Sequence, residues 1–181
     1  RTAEETASLA RQQGAVILWG RCPEERGAPP YWPSVQTIRS YAGEQDPEAL
    51  RAEMGAGAAD IAQLIPELRE ALPDLPPVPA LEDPEQARFR LFDSITAFLK
   101  RASQKHPLVV VLDNLHLADP SSLRLLEFVA QELADAHVLI IGTYRDVDVS
   151  RGHPLFRTLG ELARQNLYQR VLLRGLGQEE V

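Results

Sequence analysis

The sequence predicts an α/β fold in which helices cover both faces of a parallel sheet, giving three layers. Three observations carry that expectation. Leu108 to Leu112 is an unbroken apolar run rich in valine, and such a run reads as a strand buried on both faces. Strand-like runs alternate with helical patterns along the chain, which is the arrangement of βαβ units. The run at 108–112 also ends directly in an acid, Asp113, at the place where open α/β sheets bind ligands.

The elements follow in order. Thr2 to Gln13 predicts a helix, with Gly14 just past its end and a small-residue stripe of Ala3, Ala7 and Ala10 suited to close packing. Thr2 and Glu5 have the spacing of a capping box. Ala15 to Trp19 predicts a short strand, ended by Gly20-Arg21-Cys22-Pro23. Glu24 to Pro33 is punctuated by Pro29, Pro30 and Pro33 and predicts a loop; Ser34 to Ala42 predicts a helix. Residues 44–83 predict a helical insert: Glu48 to Met54, then Asp60 to Leu72 interrupted at Pro66, then an extended proline-rich connection from Pro73 to Pro84.

Asp83-Pro84-Glu85-Gln86 is a helix start, with an aspartate cap and proline at the first position. Phe89, Phe92, Ile95 and Leu99 carry that helix toward Lys105. After the strand at 108–112, Asp119-Pro120 opens a helix to about Ala134, with Leu123, Leu126, Val129 and Leu133 on its apolar face. Val138 to Ile141 predicts a third strand, His153-Pro154 opens a helix to about Asn166, and Arg170 to Leu173 predicts a fourth strand.

Composition bounds the function. A chain of 181 residues, 44% hydrophobic and 25% charged, has the makings of one ordinary domain. Its net charge of −7 argues against direct nucleic-acid binding by this piece, since neutralising phosphates takes clustered Lys and Arg. A single cysteine, Cys22, excludes an internal disulfide and fits a reducing compartment. No apolar run approaches the roughly 18 residues of a membrane span, and no signal peptide is visible. The expectation is a cytoplasmic domain with no membrane partner.

Chemistry concentrates at the ends of two strands. A carboxylate on a rigid strand end suits Mg²⁺, a hard ion that takes one or two carboxylates, waters and phosphate oxygens; the plain alternative for Asp113 is a turn cap. Asn114 follows, where an amide can orient a water but cannot take its proton at neutral pH; the alternative is an ordinary turn asparagine. Arg145 lies shortly after the strand at 138–141, at the same sheet edge, where a guanidinium can meet a terminal phosphate; the alternative is a surface ion pair with Asp146 or Asp148. His116 and Asp119 lie near Asp113, but no histidine pair has metal-ligand spacing, so a structural metal is not expected. Cys22 lacks a CxxC partner, and Tyr31-Trp32-Pro33 fits core packing better than a base-stacking platform.

Taken together, these stretches resemble the AAA-type P-loop ATPase domain of bacterial STAND proteins, as in large LuxR-type (MalT-like) transcriptional regulators. Val16-Ile17-Leu18-Trp19-Gly20-Arg21-Cys22, with Glu24-Glu25 and Gly27 to Pro33, resembles the family's second strand and aromatic–proline loop. Val109 to Pro120 resembles its Walker B segment, and Ile140 to Asp146 its sensor strand. Leu173 to Val181 resembles the passage into the helical lid, so 174–181 is its expected start.

The resemblance implies a partial ATPase core over 1–181 that takes ATP and Mg²⁺. Asp113 would hold the ion through water, Asn114 would be a degenerate water-positioning site, and Thr143 and Arg145 would face the nucleotide, with Arg145 sensing the γ-phosphate. The partners implied are ATP or ADP and either further copies or other signalling domains of the same protein. No G-x-x-x-x-G-K-[ST] occurs in the 181 residues, and the first residue is Arg1 rather than Met. The resemblance places that loop and the first strand just before Thr2, so the chain is expected to be truncated at its N-terminus and unable to bind ATP measurably by itself. Two departures stand out: Asn114 replaces the family's second acid, and Leu117 its tryptophan. The first implies slow hydrolysis. The residues by themselves also leave open an interaction domain that kept the fold without nucleotide.

Overall fold

The computed structural model describes residues 1–24, 27–78 and 83–173. Three parallel strands form its sheet in the order β1-β2-β3: β1 is Val16–Arg21, β2 is Leu108–Asp113 and β3 is Val138–Gly142. The central strand is the one whose sequence is continuously apolar. Leu108 to Leu112 are all buried, because β2 has a strand on each side and helices on each face. The fold is therefore the expected α/β arrangement, consistent with a P-loop NTPase core.

Helix α1, Thr2–Gln12, packs on β1 and β2 through its small-residue stripe, with Ala7 buried. Against the other face, α2 (Trp32–Glu44), α6 (Pro84–Ala102) and α7 (Pro120–Glu132) enclose a small apolar cavity of about 40 Å³; Ile38, Ile95, Val110, Leu125 and Ile140 are among its lining. Between α2 and α6 lie three short helices: α3 (Pro47–Met54), α4 (Ala58–Ile61) and α5 (Leu68–Ala71). The last helix, α8 (Pro154–Arg164), packs on α7.

Four helices begin the same way, with a polar cap followed by proline. Asp46, Asp83 and Asp119 accept from backbone N–H groups one turn on, and His153 Nδ1 accepts from Leu155 N–H at 3.1 Å. Proline lacks the N–H that would go unused there, so each pair fixes a boundary. One glycine has a steric duty. A Cβ on Gly20 would lie 2.3 Å from the Pro33 carbonyl oxygen, so only glycine lets the start of α2 close on β1.

Several expectations are corrected. Arg170 to Leu173 is not a strand: these residues pair with neither free edge of the described sheet, and Val171, Leu172 and Leu173 are exposed. An apolar run becomes a strand only with a ladder partner. The Thr2–Glu5 capping box does not form, because the helix already includes Thr2 and its N-cap is Arg1. The segment 60–72 is two helical turns rather than one interrupted helix, and α2 starts at Trp32, two residues earlier than expected. The expected lid start at 174–181 and residues 79–82 of the proline-rich connection lie outside the described residues.

Candidate functional site

The parallel register sets Arg21 of β1 opposite Asp113 of β2, and Gly142 of β3 opposite Leu112. Asp113 thus ends the middle strand with Arg21 on one side and Thr143 on the other. The backbone continues the lacing past the sheet. Thr143 N–H donates to the Leu112 carbonyl at 2.9 Å, and Leu115 N–H donates to the Thr143 carbonyl at 2.8 Å. On the opposite side, Cys22 N–H donates to the Asp113 carbonyl at 2.9 Å.

Side chains complete the corner. The Thr143 hydroxyl donates to Asp113 Oδ1 at 2.5 Å while accepting from Asn114 N–H at 3.1 Å, so one hydroxyl fixes both neighbours. Arg21 Nε donates to Asp113 Oδ2 at 3.0 Å. The Arg21 side chain is 72% exposed, so this ion pair contributes about 0–1 kcal/mol and the guanidinium is free to exchange partners. Asn114 adopts a left-handed backbone, φ +61°, which turns the chain sharply off β2. Asparagine tolerates that conformation better than most residues, so its identity has a backbone reason as well as a chemical one. Its side-chain amide has no hydrogen-bond partner among the described residues.

Arg145 sits at the same corner, but its guanidinium does not meet Asp113. The side chain is largely exposed and, among the described residues, it pairs at 4.0 Å with Glu24 rather than with Asp146 or Asp148. Asp146 pairs instead with Arg170, which also stacks over the Tyr144 ring at 6.0 Å. Burial raises the Tyr144 pKa, and Arg170 opposes that rise. The Arg145 backbone is held from beneath: its N–H donates to His116 Nδ1 at 3.4 Å, and His116 Nε2 lies 3.6 Å from Asp148 Oδ2.

The neighbouring candidates have structural duties. Asp119 caps α7. Cys22 is buried, and burial, with Asp119 and Asp113 nearby, pushes its thiol up to about 12, which makes it a poor nucleophile. Tyr31 packs edge-on against Phe92, and Trp32 lies under the Arg39 guanidinium. A cleft of about 590 Å³ lies along α8, lined by residues such as Arg151, Phe156 and Arg157; it includes none of the predicted site residues.

Asp113 and Thr143 fit an ion bound through water. A carboxylate has about four lone-pair sites, and the hydrogen bonds from Thr143 and Arg21 leave the others for the water shell of Mg²⁺. No group of three or more His, Cys, Asp or Glu able to hold a metal by protein ligands alone occurs among the described residues. Sequence reasoning brought Asp113, Asn114, Thr143 and Arg145 to one place. It missed Arg21 as the acid's ion-pair partner, whose signal is the register of two parallel strands ending together, and it missed His116 as the support under Arg145.

Residues 1–141 match the family model described as AAA ATPase domain. Neither a curated protein nor a solved structure matches the chain.

Proposed function

The chain belongs to the AAA ATPase domain family, and from that premise we propose that it is the ATP-binding switch module of a bacterial STAND-type signalling or transcriptional regulator, with slow hydrolysis. The observation that carries this reading is the Asp113 corner: an acid at the carboxyl end of the interior strand, oriented by Thr143 and with lone pairs still free. Asp113 would hold the water shell of Mg²⁺, and the ion when bound neutralises phosphate charge. Thr143 keeps the carboxylate in one rotamer and ties it to the corner that carries Arg145. Arg145, exposed and only loosely paired with Glu24, is placed to exchange that acid for a γ-phosphate. Asn114 can donate to or accept from a water through its free amide but cannot take its proton, which supports the slow hydrolysis. A slow site suits a switch, because the triphosphate state then lasts long enough to bias assembly with further copies or signalling domains.

The test is Mg²⁺-ATP and Mg²⁺-ADP binding by calorimetry with the native full-length polypeptide and its Asp113→Ala variant. Micromolar ATP binding in the parent, weakened in the variant, is expected. A parent that binds neither nucleotide overturns the reading in favour of an interaction domain that kept the fold.

A further inference from the structure

His116 is buried within the turn that follows β2, with only 7% of its surface exposed. A buried imidazole needs partners for both ring nitrogens. Here both face the same short segment. Nδ1 takes the Arg145 N–H at 3.4 Å, and Nε2 faces Asp148 Oδ2 at 3.6 Å. A nitrogen that accepts an N–H carries no proton, so the ring proton sits on Nε2 and points at the carboxylate. One side chain from the acid-bearing turn therefore holds the Arg145 N–H and faces Asp148, three residues on.

The other links across this corner stop short of Arg145. Thr143 N–H, Thr143 carbonyl and Thr143 hydroxyl bond to Leu112, Leu115, Asn114 and Asp113. Beyond Thr143, the hydrogen bond among the described residues from the corner to the turn after β2 is the one His116 accepts from Arg145 N–H, with Asp148 facing the other ring nitrogen at 3.6 Å. We infer that His116 is a positioning residue: it sets where the chain presents Arg145 relative to Asp113. This deepens the proposed nucleotide switch and rests on the reading of Arg145 as its sensor. The mechanical consequence is direct. A displacement of Asp113 and its turn carries His116 with it, and His116 moves the Arg145 backbone.

Geometry supplies a discriminating set of variants. Asparagine can place its Oδ1 near the position of Nδ1 and so accept the Arg145 N–H. Glutamine reaches toward the Nε2 position, and phenylalanine keeps the ring without either nitrogen. The experiment is amide hydrogen exchange read residue by residue by NMR on the parent, His116→Asn, His116→Gln and His116→Phe. The Thr143 amide, bonded to the Leu112 carbonyl, is the internal control for an intact corner.

The expected result is Arg145 protection in the parent and in His116→Asn. A loss of about tenfold or more is expected in His116→Phe and His116→Gln, with Thr143 unchanged. Equal Arg145 protection in the parent and His116→Phe overturns the inference, as does an unprotected Arg145 amide in the parent. ATP-over-ADP preference, measured on the same variants of the native full-length polypeptide, separates the two layers. Lost Arg145 protection with unchanged preference sustains the positioning role and overturns the sensor reading beneath it.

Discussion

Carboxylates occupy two regions of this molecule under opposite conditions. In the helical region between α2 and α6, Glu53 and Asp60 are buried and met by several donors. The Tyr41 hydroxyl donates to Glu53 Oε2 at 2.8 Å, and Lys105 Nζ lies 2.9 Å from Oε1. Arg90 and Ser94 donate to the two oxygens of Asp60 at 2.9 and 3.2 Å. At the end of β2, Asp113 is half-buried, paired with one hydroxyl and one exposed arginine. Glu53 joins α2 and α3 to the turn after α6, and Asp60 joins α4 to α6. Asp113 keeps lone pairs and a replaceable partner. An acid itself buried among the helices it joins is architecture, and an acid at a strand end with lone pairs to spare is available for chemistry.

The largest expected effect tests the architectural side. Glu53→Ala removes a packed side chain and leaves the buried Tyr41 hydroxyl without its acceptor, at a cost of about 2–4 kcal/mol. Urea unfolding of the 181-residue chain measures it. A loss below about 1 kcal/mol would make Glu53 no more structural than a surface acid and remove the contrast.

Asp113→Asn is the matched change on the other side. The amide oxygen still accepts from Thr143, and the lost ion pair is with an exposed arginine, so unfolding free energy should shift by less than about 1 kcal/mol. Mg²⁺-ATP affinity of the native full-length polypeptide should fall about 10–100-fold, as for other groups that orient metal-bound water. A large stability loss with unchanged affinity would invert the assignment of the two regions.

Asn114→Asp is a smaller change at the same corner. Aspartate also tolerates the left-handed φ of +61°, so the turn should persist while a proton acceptor is gained. Steady-state phosphate release from the native full-length polypeptide should rise several-fold. Equal rates would place position 114 away from the attacking water.

The two regions differed in how legible they were from sequence. The Asp113 corner could be anticipated because its parts are local: an apolar run into an acid, and a second strand leading into Thr143-Tyr144-Arg145. Parallel strands in register bring such ends together without further information. Arg21 and His116 escaped because their roles depend on side-chain directions across elements: Arg21 faces the acid only through the β1–β2 register, and His116 meets Arg145 only after the turn at Asn114. In the helical region the helix start was read at Asp83-Pro84, whereas the same signal at Asp46-Pro47 was passed over for a start at Glu48. The Glu53–Tyr41–Lys105 cluster was not readable, since its members lie on three separate segments with no common motif. The failed strand at Arg170 to Leu173 shows the same limit: β content is written in the residues, but a ladder partner is not.

The smallest expected effect lies at high pH and marks both regions at once. Burial raises Cys22, beside Asp113, from an ordinary 9.0 to about 12, and burial with the Glu53 hydrogen bond raises Tyr41 in the helical region well above its ordinary 10.0. Each raised group binds its proton more tightly in the folded chain than in the unfolded one, so its contribution is complete below its unfolded value and fades as pH climbs toward the folded value. Stability should therefore be level between pH 7 and 8 with respect to these groups. It should begin to fall above about pH 9 as Cys22 ionises in the unfolded chain, and fall more steeply above about pH 10 when tyrosine does the same. Cys22→Ala should remove the earlier part of the decline, and Tyr41→Phe should soften the later part. Urea midpoints at half-unit pH intervals read both. A decline that keeps its onset in Cys22→Ala would mean that the thiol is not held protonated behind the Asp113 corner.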